Sequence, residues 1–161
     1  MTLRVARAAD LVAHVGVALP ASEAFAVSQD EIDRFVALSG DRQWIHCDVA
    51  RAATELPGGR TIVPGNLLLA LLPHRLLQVY AVVDFGRCLT AGYREIRFRQ
   101  PVAVDTVLVL HADIRSVTSA RRFVRVETQC RLIASGAEHS ALTAIVTDLY
   151  YDTDETPPRL A

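Results

Sequence analysis

The chain has 161 residues, 51% of them hydrophobic and 22% charged, with a formal net charge of −1. That length suits one domain able to bury a sizeable core, and the balance excludes a disordered chain and a basic nucleic-acid binder. Its longest uninterrupted apolar run, Leu67 to Leu72, is too short to span a bilayer, and Asp10 interrupts an N-terminus that no long apolar segment follows, so neither a membrane span nor a signal peptide is expected and the expected location is cytoplasmic.

In chain order, a strand is expected over residues 16–27. Ser28 followed by Glu31 forms a capping box, in which each side chain satisfies an orphan amide of a helix's first turn. Ile32, Phe35 and Val36 then share one helical face, and Gly40 ends the helix because glycine tolerates the left-handed cap conformation. Asp48 reads as the N-cap of a short helix through Ala53, which the loop Leu56-Pro57-Gly58-Gly59 breaks. Over residues 66–80 the leucines Leu67, Leu68, Leu69, Leu71, Leu72, Leu76 and Leu77, with Val79, leave almost no polar face. A helix apolar all round is expected to be buried all round. Pro73 cannot donate to the Leu69 carbonyl and should kink it, while His74, Arg75 and Gln78 bring its second half to the surface.

Strands follow at 93–99, 106–115, 123–132 and 139–151. In the third, Val124, Val126, Thr128, Cys130 and Leu132 alternate with Arg125, Glu127, Gln129 and Arg131. The short links at 116–120 and 135–138 suit antiparallel neighbours. Cys47, Cys88 and Cys130 are widely spaced and odd in number, which argues against a disulfide framework or a zinc site; Cys130 is placed in the core. Residues 1–152 are read as one domain and 153–161, with two prolines, as a loose tail.

One long buried helix followed by several antiparallel strands is an α+β arrangement in which the sheet curls around the helix. A lone curled sheet leaves an edge strand and a face open. Pairing with a second copy hides them, so a homodimer or higher homo-oligomer is expected.

Three stretches carry chemistry. The first runs Ser39-Gly40-Asp41-Arg42-Gln43-Trp44-Ile45-His46-Cys47-Asp48. The second is Thr61-Ile62-Val63-Pro64-Gly65-Asn66-Leu67-Leu68, and the third Tyr93-Arg94-Glu95-Ile96-Arg97-Phe98-Arg99-Gln100-Pro101-Val102. Taken singly, these residues have plain readings. Asp41 is a turn residue, His46 a packed histidine and Trp44 a core or interface anchor, and Arg121-Arg122 elsewhere in the chain is a solvated turn or a basic rim that could meet phosphate groups. Taken together they resemble the MaoC-like hydratases and dehydratases, which have the hot-dog fold. In that family a helix ending in Ser/Thr-Gly-Asp leads through a tight turn to a histidine, a glycine opens the central helix, and a hydrophobic strand follows. Gln43-Trp44 stands here for the usual Asn-Pro, Pro64 for a histidine and Asn66 for an apolar residue. The run Gly-Asp-x-Gln-Trp-Ile-His is closer to the NodN-like branch.

The resemblance implies a hydro-lyase acting on 2-enoyl or 3-hydroxyacyl thioesters of coenzyme A or acyl carrier protein. The pantetheine thioester is then substrate, and no metal or redox cofactor is required. Asp41 and His46 would hold the water and move its protons, while the Gly65 amide at the helix N-terminus would polarise the thioester carbonyl. Asn66, Gln43, Trp44 and Pro64 would shape the substrate's surroundings. Two other readings stand beside this one. A thioesterase on the same fold usually needs a carboxylate at the central helix, and residues 66–80 have none. A non-catalytic module would bind an acyl thioester or serve as a dimerisation partner.

Overall fold

The computed structural model describes residues 1–152; the expected tail lies outside the described residues. The chain opens with β1 (Leu3–Val5) and a 3-10 helix (Ala8–His14). Three short helices follow: α1 (Gln29–Ser39), α2 (Trp44–Cys47) and α3 (Val49–Glu55). The long α4 (Gly65–Val79) runs straight into β2 (Tyr80–Val82). Four long strands complete the order: β3 (Arg87–Phe98), β4 (Leu108–Ser119), β5 (Val124–Ala134) and β6 (Ser140–Tyr151).

Local chemistry sets the helix ends. The Ser28 hydroxyl accepts from the Glu31 N–H, and the Glu31 carboxylate accepts from the Ser28 N–H at 2.8 Å, which closes the capping box and lowers the Glu31 pKa. Gly40 ends α1 at φ 77° with its N–H on the Val36 carbonyl. The Asp48 carboxylate accepts from the Arg51 N–H and starts α3, which runs two residues past the expected Ala53.

The strands form an antiparallel sheet in the order β3-β6-β5-β4. β5 alternates as its sequence dictates, with Val126, Thr128, Cys130 and Leu132 buried and the charged side chains on the other face. Leu67, Leu68, Leu72, Leu76 and Val79 of α4 fill the inner face against Leu108, Leu110, Ala112, Val126, Leu142, Ala144 and Val146. This is the hot-dog arrangement, an α+β fold with the helix lying in a curled sheet.

Two expectations need correction. Residues 16–27 do not form a strand. They follow the outer edge of β4 through single bridges, Val15 to Ile114 and Phe25 to Leu108, and the Ser22 N–H donates to the Leu110 carbonyl. Pro20 has no N–H to give, and Gly16 sits at φ 74°, so a continuous ladder cannot form. Nor is α4 buried all round in the single chain. Asn66, Ala70, His74 and Leu77 make an exposed stripe, with Leu77 60% accessible. Beyond this, β3 starts at Arg87, six residues before the expected strand, and β1 and β2 pair in parallel, Leu3 with Tyr80. Among the described residues no helix is long and apolar enough to cross a membrane.

Candidate active site

His46 lies on the single turn of α2 and is 6% exposed. Its ring Nδ1 is 2.6 Å from the Ile62 carbonyl oxygen. A carbonyl only accepts, so Nδ1 carries the proton, and in the neutral ring Nε2 holds the lone pair. The acceptor is itself fixed. The Ile62 N–H donates to the Ile45 carbonyl at 2.9 Å, and the segment 61–63 is bridged to 102–104 through Val63 N–H to Val102 and Val104 N–H to Thr61. Gln29, at the start of α1, adds a brace: its amide donates to the His46 carbonyl at 2.9 Å, and its side-chain oxygen accepts from the buried Thr61 hydroxyl.

Pro64 caps the N-terminus of α4, and Gly65 and Asn66 begin it. The first amides of a helix have no acceptor within it and sit at the positive end of its dipole. His46, Gly65 and Asn66 line one cavity of about 410 Å³, together with Ile62, Val63, Leu68, Phe98, Arg99, Gln100, Pro101, Val102 and Ala141. A Cβ on Gly65 would sit 2.9 Å from the Phe98 ring, so a larger residue there obliges that ring to move.

The other expected site residues fall elsewhere. Asp41 is exposed, two residues past the end of α1, and its N–H donates to the Ser39 hydroxyl at 3.3 Å. It does not line the cavity. Gln43 is exposed and precedes α2; Trp44 is half-buried under the Arg51 guanidinium, 4.0 Å from the ring centroid, as a packing anchor would be. Pro64 is buried as the helix cap and shapes the cavity through the backbone it sets. Sequence reasoning did not single out Gln29 and gave Thr61 and Phe98 no role of their own, because those roles depend on contacts distant in the chain.

It also missed Asp148. This carboxylate on the inner face of β6 is 7% exposed, accepts from the Thr90 hydroxyl at 2.8 Å, and lines a cavity of about 290 Å³ with Pro73, His74 and Leu76 at the far end of α4. Burial raises its pKa.

Comparison with known proteins bears on the family and the fold. The model of the MaoC like domain matches residues 11–135. The chain is 40% identical over 98 residues to 3-hydroxyacyl-thioester dehydratase Z of Mycobacterium tuberculosis (strain ATCC 25618 / H37Rv), which covers 61% of this chain and 64% of that protein. It is 44% identical over 95 residues to Nodulation protein N of Rhizobium leguminosarum bv. viciae, covering 58% and 59%. The matches thus span less than two thirds of these relatives. Among solved structures, the C-terminally truncated HadBC (3R-hydroxyacyl-ACP dehydratase) complex of Mycobacterium tuberculosis superposes with a TM-score of 0.67 at 18% identity, over 84% of this chain and 98% of that one. With a family model matching most of its length, this hot-dog chain belongs to the MaoC-like domain family.

Proposed function

We propose that the protein is a hydro-lyase that adds water to a 2-enoyl thioester, or removes it from a 3-hydroxyacyl thioester, carried on coenzyme A or an acyl carrier protein. The observation that supports this most directly is the meeting of two groups in one cavity: a histidine tied through Nδ1 to the Ile62 carbonyl, and the opening amides of a buried helix. In this reading the thioester carbonyl oxygen accepts from a first-turn N–H of α4, which supports negative charge on that oxygen as the α-proton leaves. His46 and Asp41 share the proton work. One takes the α-proton while the other protonates the departing hydroxyl, and the roles reverse for hydration.

Asp41 enters on its place in the motif, five residues before His46, with an exposed carboxylate outside the cavity lining. The names of the dehydratase relatives support the reaction class. The thioester is substrate, and the steps call on no metal or redox group. We further propose that two copies assemble through β3, the strand at the open end of the sheet.

A hydration assay with trans-2-enoyl coenzyme A thioesters of graded length tests the reading. The expected result is loss of the enoyl chromophore without release of free thiol. Thiol release with no hydration would replace this reading with a thioesterase, and binding with no turnover would replace it with a non-catalytic module.

A further inference from the structure

We infer that an arginine-lined cavity on the outer face of the sheet holds the phosphate groups of the pantetheine carrier, with the nucleotide end of coenzyme A as its occupant. The inference rests on the thioester reading above and goes on to name the carrier and the residues that select it.

All 17 basic residues of the chain are arginines, and although the net charge is −1 they are not evenly spread. The strand register gathers several of them. Arg97 on β3 pairs with Thr143 on β6, and Thr143 pairs with Arg131 on β5. Directly paired residues share a face, and alternation on β5 puts Arg131 opposite the buried Cys130 and Leu132. Arg97 and Arg131 therefore stand on the outer face two strands apart, about 10 Å. Arg99, just beyond β3, and Arg115, at the bulge of β4, join them around a cavity of about 470 Å³, with Gln129 and Thr143 between.

The nearby carboxylates neutralise this group only in part, at Arg131. Asp113 is engaged by Arg131, and Glu95, on the cavity rim, by Arg94. Among the described residues, Arg97, Arg99 and Arg115 have no ion pair. Like charges held in one concavity repel unless an anion sits among them. The guanidinium fork matches the oxygens of a phosphate, and the Thr143 hydroxyl adds a donor.

Position links the cavity to the chemistry. Arg99 lines both this cavity and the one holding His46, so the two adjoin around the end of β3. A thioester at Gly65 would lead its carrier arm out past Arg99 toward the arginines. A concave site of this size suits the compact phosphates of a nucleotide. An acidic carrier protein would call for charges spread over a flat or convex surface.

The test is a double variant, Arg97→Ala with Arg115→Ala, assayed with one enoyl group on three carriers: coenzyme A, an acyl carrier protein, and N-acetylcysteamine, which has no phosphate. The ratio of KM for the coenzyme A thioester to KM for the N-acetylcysteamine thioester should rise about tenfold or more, the loss expected for charge-assisted contacts. Arg122→Ala, at the turn between β4 and β5 and so at the other end of the sheet, serves as the control and should leave the ratio alone. An unchanged ratio in the double variant would overturn the inference, as would an effect seen only with the carrier-protein thioester. Calorimetry with free coenzyme A separates this from the thioester reading. If no thioester is turned over but coenzyme A binds the parent and binds the double variant about tenfold more weakly, the site stands without the reaction. Equal binding by both sinks the site.

Discussion

His46 and Gly65 show how much of a site's geometry lies in residues around the obvious ones. The imidazole is oriented by a backbone carbonyl, and its own carbonyl is braced by Gln29. Gly65 faces the Phe98 ring so closely that a Cβ would overlap it. Phe98 is 51% exposed and lines the cavity, so its ring has room to move and any move alters the cavity wall. The burden of Gly65→Ala should therefore fall on function more than on stability. Its melting temperature should barely move, while kcat/KM falls roughly ten- to hundredfold because the thioester is displaced from the helix amides. Adding Phe98→Ala should recover part of the loss. A large drop in melting temperature with kinetics intact would contradict this account of the glycine.

At the scale of elements, the sequence announced α1 through its capping box and Gly40, and β5 through its alternation, because both signals are local. The inner face of β6 was not legible in the same way. Asp148 looks like one polar residue in a β-rich run, and only the fold places it against α4 with Thr90 beside it. Its raised pKa gives a signed expectation. Between the pKa of the carboxyl in the unfolded chain and the higher native value, the folded state binds the extra proton. Stability therefore falls as pH rises through that window and stays lower above it. Asp148→Asn keeps an acceptor for Thr90 and removes the buried charge. Thermal melts should show it more stable than the parent at pH 8, with the gain shrinking as the pH falls toward the acid side of the window. A variant destabilised at pH 8 would mean that the charge is compensated in the native state.

Across the whole molecule, the two edges of the sheet differ. The segment from Val15 to Phe25 covers the β4 edge with bridges and hydrogen bonds. Among the described residues nothing pairs with the outer edge of β3, where Leu89 is 44% exposed, and α4 leaves its own stripe open on the inner side. The leucine content of α4 signalled burial on all sides, and the single chain satisfies only part of it. A second copy added across β3 about a two-fold axis would extend the sheet and cover the rest. Light scattering should give a dimer, and Leu89→Lys, which places charge at that edge, should shift it toward monomer. A monomeric parent would contradict this assembly.

The motif around Asp41 and His46 was legible because its residues are close in sequence. The Ile62 carbonyl, Gln29 and the arginine cavity were not, since folding alone brings them to the site. The most direct measurement is the hydration rate of a trans-2-enoyl coenzyme A thioester by the parent, His46→Ala and Asp41→Asn, with each variant's fold checked by circular dichroism. Both substitutions should lower kcat by about 10²- to 10⁴-fold in proteins that remain folded, the range for removing a group that moves protons in the transition state. Parent-like rates in both would contradict the assignment of the chemistry to this pair.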